Sequence, residues 1–418
     1  MQAVVHKSEI NGTVSAPSSK SFTHRALVAA ALAHGNSTIM HPLASQDTDI
    51  TAQILKNLGV GIDIGNDSWR VSGGELRPPK DELFCRESGT TMRLATALCT
   101  LVRGRCTITG EQGLLRRPIG ELAGALRQLG ADCTANNDLP PVTTNNSFIG
   151  GEASLRGDIS SQYVSALLFI SPLGRKPTRI RLTTPLESMP YVHMTLSTMS
   201  EFGISVGASA DLRLFETGIQ RYAARSYTVE GDWSSAAFLL ASSALSGKVT
   251  VKNLNLNSTQ ADVKILDILS RMGADIRKGS GSVAVGKSEL HAIDYNVENC
   301  PDLFPVLAVL CSAAKGKSTI SGIRRLAIKE SDRIAEMEKG MRSMGIAFKR
   351  NRDNVEITGG SAKGSVIYAN DHRIAMAFGV LGIAAEGTTT IKNAECVGKS
   401  FPDFWECMRD LNCDVGVE

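Results

Sequence analysis

Residues 234–276 read SSAAFLLASSALSGKVTVKNLNLNSTQADVKILDILSRMGADI, and the order of elements in them decides the fold. An Ala- and Leu-rich helical stretch stops at Gly247 and gives way to the β-branched run KVTV; a second helix closes at Gly273. Along the rest of the chain the first pattern recurs as ALAHGNSTI, TLVRGRCTI, SPLGRKPTRI, SALSGKVTV, SAAKGKSTI and IAAEGTTTI. Its glycines, Gly35, Gly104, Gly174, Gly247, Gly316 and Gly387, are spaced by 69, 70, 73, 69 and 71 residues. The second recurs as LKNLGVGI, LRQLGADC, MSEFGISV, LSRMGADI, MRSMGIAF and MRDLNCDV, with helix ends at Gly59, Gly130, Gly203, Gly273, Gly345 and Asn412. Glycine, and less readily asparagine, takes the left-handed conformation that closes a helix. Each unit reads helix, strand, helix, strand, so the fold class is α/β, with six copies of one supersecondary module.

A chain of 418 residues exceeds what one hydrophobic core usually supports, and two domains are expected. The 42% apolar and 21% charged shares are those of a globular protein. A net charge of +3 is too small to argue for nucleic acid. No apolar run reaches the roughly 18 residues of a bilayer span, and MQAVVHKSEINGTV lacks the layout of a signal peptide; no membrane partner and a cytoplasmic location are expected. The nine cysteines show no CxxC spacing and read as buried free thiols.

Thirteen to fifteen residues before each first-series glycine lies the start of a helix, at Lys20, Thr90, Ser161, Ser234, Asp302 and His372. The local sequence around every one carries Ser, Thr, Asp or Asn, the residues that cap helix N-termini. Capping does not account for Lys20, Arg25, Arg93, Gln162 and Arg373 nearby. Arg117, Tyr191, Lys329, Glu330, Arg333 and Lys399 repeat the theme around the second helices. A helix N-terminus offers unpaired N–H groups and partial positive charge, so cations massed there describe an anion site. Arginine binds carboxylate or phosphate through a planar fork and lysine acts as a point charge, so the mixture suits phosphorylated acids.

Within KESDRIAEMEKGMRSMG, Ile334, Met337, Met341 and Met344 form a helical apolar stripe, which Glu330 is expected to continue at its N-terminal end. Burial and the neighbours Lys329 and Arg333 move a carboxylate there in opposite directions, making Glu330 a candidate acid or base. Asp302, after Pro301, reads most plainly as a helix cap. His372 has no second ligand at metal spacing, and no metal or cofactor is expected.

These motifs resemble the 3-phosphoshikimate 1-carboxyvinyltransferase (EPSP synthase) family over essentially the whole chain. SKSFTHRA, SGTTMR, RRPIG, ISSQY, SMPY, PD, KESDR, NDHRIAMAF and GKSFPDF occur in the family's order and spacing. The resemblance implies two similar domains of three βαβαββ-type units, each an inside-out α/β barrel, with the active site in the cleft between them. Residues 16–227 would form one domain, and residues 228–418 with the first strand in 1–15 the other. It implies transfer of the enolpyruvyl group of phosphoenolpyruvate to the 5-hydroxyl of shikimate 3-phosphate by a monomer.

By the same resemblance, Lys20, Ser21, Arg25, Ser160, Ser161, Gln162, Ser188, Tyr191, Asp302 and Lys329 hold shikimate 3-phosphate. Phosphoenolpyruvate falls to Lys20, Gly89, Thr90, Arg93, Arg117, Gln162, Arg333, His372, Arg373 and Lys399. Asp302 is the implied base toward the 5-hydroxyl, Glu330 the implied acid toward the enol carbon, and Lys20 the third catalytic residue. The missing side chain at Gly89 leaves room beside phosphoenolpyruvate, which ties this position to glyphosate inhibition.

Two departures from the family pattern stand out. Glu87 precedes SGTT where asparagine is frequent, and a carboxylate there needs a partner such as Arg86; Arg325 and Ala327 replace the usual Asn and Arg before IKESDR. The sister transferase acting on UDP-N-acetylglucosamine shares the repeats, but it usually carries a reactive cysteine in the loop that here reads GEQGLLRRP. A non-catalytic ring around nucleic acid would carry diffuse lysines rather than cations clustered with Asp302, Glu330 and Gln162.

Overall fold

A computed structural model of the chain describes residues 1–145 and 147–418, the side chain of residue 328 excepted. Among the described residues the strands assemble into six four-stranded sheets of one wiring. In the sheet ordered Ser226–Thr228, Gly35–Met40, Ser68–Gly73 and Gly61–Ile64, the first pair is parallel and the other two antiparallel. The same single parallel pair recurs at the edge of the other five. The six-fold repeat read from the glycines is therefore physical.

The chain divides into two compact units, Ser18–Val229 and Met1–Pro17 with Glu230–Glu418. The first two strands belong to the second of these. Gln2–His6 pairs between Thr388–Lys392 and Val415–Val417, and Ile10–Ser15 runs parallel to Gly247–Lys252. Each unit thus holds three of the sheets.

Each repeat opens with a buried helix: Lys20–Leu32, Gly89–Cys99, Ser161–Ile170, Trp233–Ser246, Phe304–Ala313 and His372–Gly382. These are apolar around nearly their whole circumference, as a helix enclosed on all sides must be. Of Trp233–Ser246 only Ser234 and Leu245 are not buried. Its internal serines keep their hydroxyls satisfied; Ser242 donates to the Leu239 carbonyl at 2.8 Å.

The second helix of each repeat is half-exposed. In Arg333–Ser343 the residues Ile334, Met337 and Met341 are buried, as the stripe demands, and Met344 just beyond is buried too. These helices end in the left-handed region, Gly59 at φ +90° and Asn412 at φ +65°, so the asparagine does the work of the other five glycines. In the first series two glycines depart: a 3-10 turn, Ser171–Leu173, carries the helix on and leaves Gly174 extended, and Gly247, at φ 166°, is extended as well. No helix among the described residues is long and apolar enough to cross a membrane.

Candidate functional site

Five of the six buried helices are capped by the residue just before them. The oxygens of Ser19, Ser88, Ser160, Asp232 and Asp371 accept from the backbone N–H of Phe22, Thr91, Gln162, Ser235 and Arg373. A cap of this kind is worth ~1 kcal/mol. In the fifth repeat the expectation fails. Asp302 lies inside a 3-10 turn, Pro301–Leu303, and its carboxylate accepts from Arg333 and Arg373. A pair of guanidinium groups outcompetes neutral amides for that charge.

In residues 18–229 the candidate side chains meet through a set of specific bonds. The Lys20 ammonium donates to Asp47 Oδ2 at 3.0 Å. Arg25 donates to Thr195 Oγ1 at 2.9 Å and to the carbonyls of Ser21 and Tyr191 at 2.9 and 2.8 Å. It therefore anchors two other candidate residues by their backbones. Burial draws Arg25 down to about 10, which leaves it charged at neutral pH. Ser188 sits in the left-handed region, φ +56°, just before the helix Met189–Glu201 that carries Tyr191. Ser160 is spent on capping the helix that begins with Ser161 and Gln162.

Gln162 Nε2 donates to Thr90 Oγ1 at 3.0 Å, and Arg93 donates to the carbonyls of Gly89 and Pro118 at 3.2 and 3.1 Å. A Cβ on Gly89 would lie 2.5 Å from Arg117 Nη1 and 2.7 Å from Arg93 Nη1. Two guanidinium groups therefore close over a residue that must lack a side chain. A buried hydroxyl chain ties this turn to the Lys20 helix: His24 Nδ1 to Thr51 Oγ1 at 2.7 Å, Thr51 to Thr91 at 2.6 Å, and Thr91 to Ser88 Oγ at 2.7 Å. Thr51 also donates to the Asp47 carbonyl at 3.3 Å, so its lone pairs are left for His24 N–H and Thr91 O–H. Burial takes His24 down to about 3, so the ring is neutral.

The second cluster, in residues 230–418, is organised by Arg333, of which 1% is exposed. Its three nitrogens donate to Asp302 Oδ1 at 2.7 Å, Glu330 Oε2 at 2.8 Å and Asp371 Oδ2 at 2.7 Å. Arg373 donates to Asp302 Oδ2 at 3.1 Å, and Lys329 Nζ stands 3.8 Å from Asp302 Oδ1. Burial disfavours a charge on Asp302, but Arg373, Lys329 and Arg333 outweigh it and hold the carboxyl well below the usual carboxylate range. Burial is also the main influence on Lys329, lowering it to about 8 against the pull of Asp302. His372 is buried beside Asp371, and Lys399 ends the 3-10 turn Ala394–Lys399. Asp302, Glu330 and Asp371 here offset Lys329, Arg333 and Arg373, whereas Lys20, Arg25, Arg93 and Arg117 outnumber Asp47 and leave the first cluster positive.

Glu330 does not extend the helical stripe. The helix starts at Arg333, capped by Asp332, whose Oδ1 accepts from Ile334 and Ala335 N–H at 3.1 Å. Glu330 lies ahead of that cap and turns its carboxylate back onto Arg333. Three acids matter that were not singled out from the sequence: Asp371, Asp47 and Asp262. Asp371 sits in the NDHRIAM motif, Asp47 at a second-helix start, and Asp262 in the turn Ala261–Lys264 that leads into the second helix of its own repeat, all readable positions. Asp262 is 1% exposed, its Oδ2 accepts from Ser234, and its Oδ1 has no hydrogen-bond partner among the described residues.

The family model of EPSP synthase (3-phosphoshikimate 1-carboxyvinyltransferase) matches residues 4–408. The chain belongs to the EPSP synthase family. It is 40% identical to the 3-phosphoshikimate 1-carboxyvinyltransferase of Methanocorpusculum labreanum, with 100% of both chains covered. Identity to that of Dehalococcoides mccartyi is 41%, with 99% of each covered. The EPSP synthase of Acinetobacter baumannii superposes with a TM-score of 0.84 over 100% of both chains at 26% identity. The enolpyruvyl transferase NikO of Streptomyces tendae shares the fold, with a TM-score of 0.81 at 16% identity over 99% of this chain and 98% of its own. The two-domain α/β fold and the activity follow: the protein is an enzyme of the shikimate pathway that transfers a carboxyvinyl group to 3-phosphoshikimate.

Proposed function

We propose that the two clusters divide this reaction, with Asp302 and Glu330 as the proton-transfer pair and the cations of both units as the anion-binding set. The observation that carries this reading is the single buried guanidinium of Arg333, bonded at once to Asp302 and Glu330. It fixes two carboxylates in one frame. Ser21, Arg25, Ser160, Ser161, Ser188, Tyr191 and Lys329 serve shikimate 3-phosphate; Gly89, Thr90, Arg93, Arg117, Arg333, His372, Arg373 and Lys399 serve phosphoenolpyruvate; Lys20 and Gln162 serve both.

Asp302 accepts the proton of the 5-hydroxyl as that hydroxyl's oxygen bonds to C2 of phosphoenolpyruvate, and Glu330, once it has taken up a proton from solvent and given up its charge to Arg333, delivers that proton to C3. The tetrahedral ketal then breaks its C2–O bond to phosphate while C3 returns a proton, restoring the double bond. A carboxyl held as low as Asp302 is a weak base. Phosphoenolpyruvate relieves this, because its anionic groups neutralise Arg333 and Arg373 and weaken their hold on the Asp302 charge. The base is thus strengthened when the substrate it must act on is bound. Positioning and fixed charges carry the acceleration, in a cytoplasmic monomer.

Purified protein should release inorganic phosphate only when phosphoenolpyruvate and shikimate 3-phosphate are both present. Release with UDP-N-acetylglucosamine in place of the second would reassign the substrate, and release with neither would end the catalytic reading.

A further inference from the structure

Glu87 stands where the family pattern favours asparagine, and it accepts from a backbone amide. Gly113 N–H donates to Glu87 Oε1 at 3.2 Å. The contact is close on both oxygens, since a Cβ on Gly113 would lie 2.7 and 2.9 Å from Glu87 Oε2 and Oε1. A side chain at Gly113 would push this carboxylate aside. Alongside it, Glu111 N–H donates to the Arg86 carbonyl at 3.0 Å and Cys85 N–H to that of Thr109 at 2.8 Å. Two segments, 85–88 and 109–113, are zipped together, with Glu87 supplying the side-chain tooth.

Each segment runs directly into the pocket over Gly89. Glu87 is two residues ahead of Gly89, and Gly113 is four ahead of Arg117. From Gly113 the backbone continues as one bonded turn, with Leu115 N–H on the Glu111 carbonyl and Arg117 N–H on that of Leu114, both at 3.0 Å. The Arg117 guanidinium then lies against Gly89. An asparagine side chain is one methylene shorter, so the longer glutamate provides the reach across to Gly113.

We infer that Glu87 is a positioning residue that tethers the loop bearing Arg117 through the Gly113 amide, and so sets how tightly this chain holds phosphoenolpyruvate. The carboxylate acts on the substrate through Arg117, and shikimate 3-phosphate, which does not use that loop, is unaffected. The inference rests on the substrate assignment proposed above, but its structural half is independent of it.

Kinetics and amide exchange of Glu87→Ala, Glu87→Gln and Gly113→Ala test it. A hydrogen bond to a charged group is worth about a tenfold change, so Glu87→Ala and Gly113→Ala should each raise the KM for phosphoenolpyruvate about tenfold, with kcat and the other KM within about twofold. Glu87→Gln keeps an acceptor oxygen and should restore the parent value. The double variant Glu87→Ala/Gly113→Ala should be no worse than either single one. The Gly113 amide should exchange faster in Glu87→Ala and remain protected in Glu87→Gln. An unchanged KM for phosphoenolpyruvate in Glu87→Ala, or equal changes in both KM values, overturns the inference. If the parent shows no turnover at all, the substrate assignment fails instead, and amide exchange alone then decides the tether.

Discussion

Arg333 Nη1 donates to Asp302 Oδ1 across 2.7 Å, and almost none of the arginine is exposed to water. The pair is the hub of an acid–base group whose charges cancel, so its members cannot be removed singly without leaving a buried charge uncompensated. Deleting one partner of such a pair costs about 3–5 kcal/mol. Asp302→Ala should therefore destabilise the protein by roughly that amount in denaturant unfolding, and Asp302→Asn, which keeps an oxygen for Arg333 but removes the charge and turns an N–H2 group toward Arg373, should be destabilised as well. Both should lose about 10²–10⁴-fold in kcat, as expected for a lost general base. Parent-like turnover in Asp302→Asn would remove Asp302 from the base role.

Lys329 offers a pH test. Burial lowers it to about 8, so the ammonium is lost as the pH rises through that value. The charge that attracts an anionic substrate goes with it. kcat/KM for shikimate 3-phosphate should fall above about pH 8 in the parent. Lys329→Arg, charged throughout, should abolish that limb whatever its absolute rate, because kcat/KM reports the free enzyme's ionisations. A limb that persists unchanged in Lys329→Arg assigns the titration elsewhere.

The repeat was legible because glycine marks the same two backbone positions in every unit, and asparagine could replace it only at Asn412, where φ is +65°. The Ser and Asp caps were legible for a similar local reason. What escaped was any choice between a local and a distant partner. Asp302 has the sequence context of a cap, yet Arg333 and Arg373, 31 and 71 residues away, claim its carboxylate. Glu330 falls in phase with the apolar stripe, but Asp332 starts the helix after it. Asp262 stands at a second-helix start, but the groups that act on it, Ser234, Asp302 and Arg373, are all remote in sequence.

Gly89 has no room for a methyl group. At 2.5 Å from Arg117 Nη1 and 2.7 Å from Arg93 Nη1, a Cβ must displace a guanidinium, and Arg93 is held by the Gly89 and Pro118 carbonyls. Gly89→Ala should raise the KM for phosphoenolpyruvate and weaken inhibition by glyphosate, with thermal stability near that of the parent. Inhibition constants measured against phosphoenolpyruvate decide it: an unchanged constant for glyphosate means Arg117 does not shape that pocket.

Asp262 should make the protein less stable toward alkaline pH. Burial, together with the Asp302 charge and against the attraction of Arg373, pushes its carboxyl up to about 7; Ser234 and Asp232 are the other groups that act on it. A carboxyl raised on folding stabilises the folded state fully below its unfolded value, near pH 4, and that contribution is lost as the pH rises through 7. Each pH unit in that window is worth on the order of 1.4 kcal/mol, so a few kcal/mol are at stake. Asp262→Asn keeps an oxygen for the Ser234 hydroxyl and never ionises. Unfolding free energies at pH 5 and pH 8 should therefore differ less in Asp262→Asn than in the parent, with the variant the more stable at the higher pH. Parallel losses in the two proteins would mean that Asp262 is ionised in the folded state throughout, with Arg373 rather than burial setting its charge.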